Sequence, residues 1–465
     1  MSLLFRNVEV DGRAGLDVQV TDGRIVTVGA GLARPPGVEV VDGGGGALIP
    51  GLCDHHIHIL ALAARSASVD LTGVRGAGAL AQTLGAAAAG RPAGGWVRAI
   101  GYHEVHAGEL TRGDLDHLCP GHPVRVQHQT GALWILNTRA LEVLDRETAT
   151  AGGDDPPGLE RASGRLWRGD AWLRARIGDD PPPLAPVGAR LAALGVTALT
   201  DASVTTDVGA AELLAQAHRS GDLPQRLTLM SGGPLDAPGD AAFTVGPVKI
   251  LLDDHALIDL DDFIDRIEWA RAQGRSVAVH CVTGGELALT LAAFLTTGAR
   301  PGDRIEHGSV IPWDAAPVLR DLGLTVVSQP AFVRERGDRY LRETDPTDRP
   351  DLYRLASLRG AGVPLAASSD APYADPDPWL GMAAAVDRRT VAGQVLGSAE
   401  ALSATMALNL YLGDARDPGG PPRRVRPGEP ADLVLLDRPL KAALRTPLAD
   451  HVRQTVIGGL IAYSA

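Results

Sequence analysis

The sequence predicts an α/β protein whose main part is a (β/α)₈ barrel, and three observations lead to that prediction. Eight short runs of apolar and β-branched residues each end in polar or ionisable residues. Helical patterns separate most of these runs. Both termini show the alternation of half-buried strands, which predicts a small β-sandwich domain built from the two ends of the chain.

The two termini carry the same pattern of short strands. Residues 1–50 contain LDVQV and IVTVG on either side of the turn sequence TDGR, which is typical of a hairpin with one buried face. The end of the chain repeats the pattern in ADLVLLD and TVIGGLIAY. We therefore expect residues 1–50 and 426–465 to form one composite β domain around a barrel of residues 51–425.

The barrel prediction depends on the order of strands and helices between the termini. The expected strands are CDHHIHI from residue 53, GVTALTD from 195, RLTLMS from 226, PVKILLD from 247, SVAVHC from 276, DRIEHG from 303, TVVSQP from 325 and PLAASSD from 364. In DDFIDRIEWARAQG, Phe263, Ile264, Ile267 and Ala270 share one helical face, and Gly274 can end the helix. Eight strands alternating with helices predict a TIM-type barrel, whose chemistry lies at the carboxyl ends of the strands.

The interval between the first two expected strands is too long for one βα unit. Residues from about 75 to 190 contain strand-like runs of their own, WVRAIGY and PVRVQHQTG. We therefore predict a large insertion after the first barrel strand.

Composition and charge favour a small-molecule enzyme over several other classes. The net charge of −12 is spread along the chain without a long basic run, which argues against nucleic acid or an anionic membrane as partner. The N-terminus lacks the pattern of a signal peptide, and no window approaches the length of a membrane span. Three cysteines, Cys53, Cys119 and Cys281, do not make a disulfide framework. We expect a cytoplasmic protein and leave a homo-oligomer open.

Histidines at expected strand ends point to a metal site. His56 and His58 are two residues apart on a strand, so both imidazoles face the same side. His280 and His307 end successive strands about one βα unit apart, and Asp370 ends the last strand, which lies beside the first in a closed barrel. Each residue also has an ordinary structural explanation: hydrogen-bonded core histidines, and for Asp370 a turn before Pro372.

A lysine in an apolar strand is the least expected residue of the set. The chain has two lysines, Lys249 and Lys441, among 44 basic residues, and Lys249 lies within PVKILLD. A buried lysine can lose its proton and be modified by CO₂ to a carbamate that bridges two cations, whereas arginine stays charged. The simpler explanation, that this lysine has no special role, stays open.

Together these segments resemble the amidohydrolase superfamily. PGLCDHHIH, the strand lysine, the two strand-end histidines and SSDAP occur in the order of that family. QHQTGALWILNTRAL, RIEHG, SQPAFVRERGDRY and SSDAPY further resemble the amidohydrolase-3 branch that includes N-substituted formamide deformylase.

The resemblance implies two divalent ions, zinc or similar. By position, His56, His58, Lys249 as a carbamate and Asp370 would hold one ion, and Lys249, His280 and His307 the other. The sequence CVTGG after His280 departs from the branch, and Cys281 alternates away from His280, so we expect Cys281 to be a structural thiol.

The resemblance also implies an activity. It predicts hydrolysis of a C–N bond, amide or formamide-like, in a small molecule by a metal-bound hydroxide, with Asp370 as proton shuttle. The same site could act on another bond, by lactone hydrolysis, deamination or isomerisation, and a catalytically inactive scaffold is a further alternative. Candidate substrate contacts near the expected barrel mouth are Tyr102, His128, Trp134, Gln329, Tyr373 and Trp379.

Overall fold

The structure is a computed structural model that describes residues 2–151, 155–177 and 181–465. The chain divides into two compact units, one formed by Met1–Ala61 with Leu184–Ala465 and the other by Leu62–Pro183. No helix among the described residues has both the length and the apolar character needed to cross a membrane. The two units are described one after the other.

The first unit begins with a hairpin-rich sheet of strand order β3-β2-β1-β4. Its first elements are β1 (Ser2–Val10), β2 (Arg13–Thr21), β3 (Arg24–Gly29), β4 (Glu39–Asp42), β5 (Leu48–Pro50) and β6 (Leu52–Ile57), and α1 (Ile59–Ser66) begins in this unit and ends in Leu62–Pro183. Strands β1, β2 and β3 pair antiparallel, because turn residues Asp11-Gly12 and Asp22-Gly23 adopt positive φ angles and reverse the chain.

The second unit, Leu62–Pro183, is built around a sheet of order β11-β12-β10-β9-β8-β7. Its elements are β7 (Val69–Asp70), α2 (Ala77–Ala89), β8 (Val97–Tyr102), α3 (Glu104–Ala107), α4 (Arg112–Leu118), β9 (Val124–His128), β10 (Leu133–Leu136), α5 (Thr138–Ala151), β11 (Leu159–Glu160), β12 (Arg165–Trp167) and α6 (Asp170–Ile177). Strands β8 and β9 are parallel and coincide with the strand-like runs WVRAIGY and PVRVQHQTG.

The remainder of the first unit alternates strands with helices. Its elements up to the last barrel helix are α7 (Ala185–Ala193), β13 (Val196–Asp201), α8 (Val208–Ser220), β14 (Arg226–Ser231), β15 (Thr244–Ile250), α9 (Leu260–Ala272), β16 (Val277–Cys281), α10 (Gly284–Thr297), β17 (Arg304–His307), α11 (Ala315–Leu322), β18 (Thr325–Ser328), α12 (Ala331–Glu335), α13 (Gly337–Glu343), α14 (Ala356–Gly360), β19 (Leu365–Ala367), α15 (Pro378–Asp387) and α16 (Ala404–Asn409). Short 3₁₀ turns occur at Arg349–Asp351 and Ser398–Glu400.

In the described part of the chain, eight parallel strands form the barrel sheet in the order β6-β13-β14-β15-β16-β17-β18-β19. All eight coincide with the runs expected from the sequence, so the barrel prediction is confirmed. Backbone hydrogen bonds from Asp370 N–H to His56 O (2.8 Å) and from His58 N–H to Ala371 O (2.8 Å) join the first strand to the segment after the last. These bonds close the barrel at its carboxyl end.

Helix α9 shows why the intervening segments are helical. Asp259 accepts a hydrogen bond from Asp261 N–H at the start of the helix, and Phe263, Ile267 and Ala270 are fully buried on one face. Gly274 follows the helix with φ +68°, a conformation that costs glycine little. The predicted face and the predicted stop are both present.

The chain ends in a sheet of order β22-β21-β20-β5. Its elements are β20 (Leu433–Leu436), α17 (Leu440–Ala443), β21 (Val452–Ile457) and β22 (Leu460–Ser464), with a 3₁₀ turn at Ala449–His451. One buried cluster joins both terminal sheets, with Leu3 and Phe5 from β1 packed with Leu433 and Leu435 from β20. The two ends of the chain therefore build the expected β sandwich, while the domain boundaries at residues 50 and 426 stay predictions.

Candidate metal centre

Three of the predicted ligands meet at the closure of the barrel. His56 lies in β6 and His58 directly follows it, while Asp370 follows β19. Asp370 Oδ1 lies 3.4 Å from His56 Nε2 and 3.1 Å from His58 Nε2. The hydrogen bonds that close the barrel thus also bring the carboxylate to both imidazoles.

His307 and His280 bring two more imidazoles to the same place. The His307 ring centroid lies 4.8 Å from that of His56 and 4.5 Å from that of His280. Ligand atoms of His56, His307 and Asp370 all lie within 4.8 Å of one another, so this group of side chains could hold metal. His307 and Asp370 both have left-handed backbones, with φ angles of 70° and 56°, and such strain in non-glycine residues is typical of functional sites.

Polar side chains hold the Nδ1 atoms of three of these histidines. His56 Nδ1 contacts the Glu306 carboxylate, His58 Nδ1 lies 3.0 Å from Ser203 Oγ, and His307 Nδ1 lies 2.8 Å from Gln329 Oε1. Partners of this kind fix the orientation and tautomer of a metal-ligating imidazole and leave Nε2 available.

Glu306 is a fully buried carboxylate that the sequence analysis did not single out. Burial alone would raise its pKa, but the charges of Arg304 and Lys249 lower it below its ordinary value. Arg304 Nε contacts Glu306 Oε1, and Arg304 Nη2 donates to His55 O at 2.7 Å. The result is a buried Arg304–Glu306–His56 chain leading into the site.

Asp54 is a second residue that the sequence analysis missed. It lies in β6, is almost fully buried, and accepts hydrogen bonds from Ser369 Oγ–H and, at 3.1 Å, from Ser369 N–H. Burial raises the pKa of Asp54 to about 6 despite these hydrogen bonds. Asp54 therefore anchors the segment that carries Asp370.

Lys249 is 3% exposed, and its Nζ has no hydrogen-bond partner among the described residues. Burial lowers its pKa, with the charges of Glu306 and Asp370 acting in the opposite direction. His56 Nε2 is likewise buried and has no hydrogen-bond partner in the described chain. Two orphaned nitrogens beside imidazoles and a carboxylate fit a site for a divalent metal ion.

The histidines are held in the form that can bind a metal. Burial, with a further contribution from the Lys249 charge, lowers the pKa of His280 to about 4. The pKa values of His56 and His307 lie well below the ordinary value, with burial the largest cause in each. These rings are neutral at pH 7, and neutral imidazole is the ligand form.

The remaining candidates of the barrel unit differ in exposure. Gln329 is fully buried and donates to Ser368 Oγ at 2.9 Å, so its amide is used inside the protein. Trp379 is also fully buried and donates from Nε1 to Leu194 O, a packing position. Tyr373 is 59% exposed, and its ring lies 5.7 Å from that of His58.

Tyr102, Trp134 and His128 belong to Leu62–Pro183. Tyr102 is buried, its hydroxyl donates to Gly108 O at 2.6 Å, and burial raises its pKa to about 12. Trp134 is also buried and donates to Asp170 Oδ1. His128 is partly exposed and lies against Glu104, with 3.1 Å between Nε2 and Oε2.

The cysteines take no part in these clusters. Cys53, Cys119 and Cys281 are buried free thiols. Cys281 Sγ lies 3.3 Å from Thr290 Oγ1, and burial raises its pKa to about 12. A buried thiol of this kind is structural, as its alternation with His280 predicts.

Known proteins resemble the chain over nearly its whole length. A model of the amidohydrolase family matches residues 39–463. N-substituted formamide deformylase of Arthrobacter pascens is 25% identical over 98% of this chain and 96% of its own length. A putative amidohydrolase of Bacillus subtilis, YtcJ, is 23% identical over 81% and 80%. An uncharacterised metal-dependent hydrolase from Pyrococcus horikoshii superposes with a TM-score of 0.77 at 23% identity, over 94% of this chain and 98% of that chain.

Proposed function

Because the chain belongs to the amidohydrolase family, we propose that it is a metal-dependent hydrolase that cleaves an amide or formamide-like C–N bond in a small molecule. One observation carries the proposal: His56, His307 and Asp370 meet in a buried cluster where His56 Nε2 has no hydrogen-bond partner among the described residues. The name of the Arthrobacter relative supports the choice of bond. The small-molecule substrate and the cytoplasmic location stay predictions.

We assign two divalent ions, with zinc the expected metal, to the ligands predicted from the sequence. His56, His58 and Asp370 would hold one ion, and His280 and His307 the other. Lys249 would bridge the two as a carbamate. The close approach of Asp370 Oδ1 to His56 and His58, and of the His280 ring to the His307 ring, supports this division.

The environment of Lys249 favours the modification. Burial lowers its pKa, which increases the fraction of neutral amine available to react. Nζ attacks the carbon of CO₂, an N–C bond forms, and one proton is released. The product is an anion, and it replaces an ammonium that has no hydrogen-bond partner in the described chain.

Bound divalent ions would supply a water of lowered pKa and polarise the scissile carbonyl. Asp370 accepts the proton that the attacking water loses and then delivers it to the departing nitrogen. This second transfer is needed because an unprotonated amine leaves poorly. Water adds across the C–N bond, so the products are one carboxylic acid and one amine.

The surrounding residues keep the ligands in place. Each of three histidines has a polar partner at Nδ1: Glu306 for His56, Ser203 for His58 and Gln329 for His307. Each ring can therefore present Nε2 to a metal. Asp54 holds Ser369 and thereby the strained Asp370 backbone. We retain Tyr373, which is exposed beside His58, as a substrate contact. The roles of Tyr102, His128 and Trp134 as substrate contacts stay predictions. For Gln329 we propose instead that it positions the His307 ring.

A substrate panel with metal analysis tests the proposal. Purified protein is assayed with N-substituted formamides, other amides, lactones and amino-heterocycles, and acid, amine and ammonia are each quantified. We expect equal amounts of acid and amine from one amide class, two divalent ions per chain, and loss of turnover on chelation that zinc reverses. Turnover of a lactone or release of ammonia alone, with every amide inert, would overturn the proposed bond.

A further inference from the structure

A second group of potential metal ligands lies in Leu62–Pro183, outside the cluster described above. Ligand atoms of His103, Glu104 and His128 all lie within 4.8 Å of one another. Glu104 Oε2 is 3.1 Å from His128 Nε2 and 3.6 Å from His103 Nδ1. We propose that these three residues form an additional divalent-cation site.

The backbone of this unit explains why the three side chains meet. Strands β8 and β9 run parallel, with Tyr102 opposite His128 in the register. Gln129 N–H donates to Tyr102 O at 2.8 Å, which keeps the two strand ends together. His103 follows β8 and Glu104 begins α3, so all three ligands lie at the carboxyl end of a parallel strand pair, where open α/β sheets bind ligands.

Further histidine rings lie close to the His128–Glu104 pair. The ring centroids of His103 and His128 are 5.0 Å apart, and the exposed His106 ring lies 5.4 Å from that of His103. The His128 and His103 side chains are only 12% and 21% exposed, whereas Glu104 is 42% exposed. Two shielded rings thus converge on a carboxylate that solvent ions can reach.

The hydrogen bonds define what a cation would displace. His128 Nδ1 lies 2.8 Å from Thr130 Oγ1, and the His128 Nε2 to Glu104 contact requires a proton on Nε2. A cation at Nε2 displaces that proton to Nδ1, so that the ring stays a neutral ligand, and Nδ1 then loses the hydrogen bond that it accepts from Thr130 N–H at 3.2 Å. His103 Nδ1 accepts a hydrogen bond from Val105 N–H at 3.1 Å, and a cation at that nitrogen must replace this helix cap. Both costs make the site weaker than the barrel cluster.

The donor set decides the class of cation. Imidazole with one carboxylate suits zinc, nickel or copper, whereas magnesium and calcium prefer oxygen ligands alone. We therefore expect binding of Zn²⁺ and Ni²⁺, and no binding of Mg²⁺ at this cluster.

Titration of the full-length protein tests the site by difference. Zn²⁺ and Ni²⁺ binding is measured calorimetrically for the wild type, Glu104→Gln, His128→Ala and the control His117→Ala, an exposed histidine in the same unit. We expect the wild type and the control to bind one more equivalent than His128→Ala, and Glu104→Gln to bind that equivalent at least about tenfold more weakly. Circular dichroism and thermal unfolding monitor the fold of each variant.

The result does not depend on the barrel, because its ligands are unchanged in all four proteins. Equal stoichiometry and affinity in the wild type, Glu104→Gln and His128→Ala would overturn the site. An equal loss in His117→Ala would show only nonspecific surface binding and would overturn it as well. Glu104→Gln keeps the size of an exposed side chain, so a folded variant is available even where His128→Ala unfolds.

Discussion

The cluster around Asp370 and the cluster around Glu104 use the same kinds of side chain in opposite surroundings. In the barrel, His56 and Glu306 are both at most 1% exposed, and Arg304 balances the carboxylate. In Leu62–Pro183, His128 faces a Glu104 side chain that is 42% exposed, and no ion pair between Glu104 and an arginine or lysine occurs among the described residues. We therefore expect a buried His–Glu contact and a solvent-exposed one to contribute differently to the stability of the fold.

The two clusters differ in how much the folded protein would gain from a bound metal. Buried imidazoles in the barrel have lowered pKa values and a nitrogen without a hydrogen-bond partner in the described chain, so the folded protein carries a cost that a cation would relieve. In the other cluster, neighbouring groups already occupy the His128 nitrogens. The barrel cluster should bind a metal tightly, whereas a metal at the second cluster must displace these existing contacts and should bind more weakly.

The largest expected effect is on catalysis at Asp370. Asp370→Asn keeps the size of the side chain and removes the carboxylate that we propose as the proton carrier. We expect kcat on an amide substrate to fall by about 10²–10⁴-fold, and further where a metal bond is also weakened. Steady-state kinetics and metal content are measured on the same sample. Near-normal kcat with both metals retained would show that another group is the shuttle.

The buried and exposed glutamates can be compared directly by the same substitution. Glu306→Gln leaves the Arg304 guanidinium buried without its anionic partner, so we expect the free energy of unfolding of the metal-free protein to fall by about 3–5 kcal/mol. Denaturant unfolding provides the measurement. The double variant Arg304→Met/Glu306→Gln should regain part of the loss because both charges are gone. If Glu306→Gln were as stable as the wild type, the buried glutamate would matter no more for stability than the exposed one, and the two clusters would not differ in this respect.

Lys249 tests whether the barrel site depends on the carbamate. Lys249→Ala should lower metal affinity by roughly 10–100-fold or more while the fold is kept, since the apolar neighbours in β15 still pack. Metal analysis and activity are measured with and without acetate or propionate, whose carboxylates can occupy part of the vacated space. Lys441→Ala, at the other lysine of the chain, is the control. Two metals and normal turnover in Lys249→Ala would contradict the bridging role.

The smallest expected effect is on stability at Glu104. Glu104→Gln breaks an exposed contact with His128, and exposed pairs contribute about 0–1 kcal/mol. Denaturant unfolding without added metal should therefore hardly change. A loss as large as that of Glu306→Gln would mean that Glu104 is structural and that burial does not separate the two clusters.

The sequence could predict the barrel because each strand is an apolar run with a polar end, and period and length suffice to recognise it. It could predict that the candidate ligands lie together because parallel strands end at one rim. Lys249 stood out because the chain otherwise uses arginine almost throughout. These features are local, or they follow from a regular repeat.

Glu306 was missed for a physical reason. Strand alternation places residues 306 and 307 on opposite faces, so a ligand at His307 argues against a role for its neighbour. The left-handed φ of His307 breaks that alternation, and both side chains reach His56. The burial of Gln329 after β18 and of Trp379 in α15 could not be predicted either, because the exposure of a side chain depends on residues far away in sequence.

The closure of the barrel also bears on how the protein is made. Asp54 and Ser369, which clamp the first strand to the segment after the last, are separated by 315 residues. During synthesis, β6 leaves the ribosome long before β19, and for that interval His56 and His58 have no Asp370 to meet. Bringing the two strands together has an entropic cost of loop closure that grows slowly with loop length. The chain incurs this cost late in folding, because the contact joins residues far apart in sequence. The candidate metal centre is therefore complete only after the segment that follows β19 has joined β6.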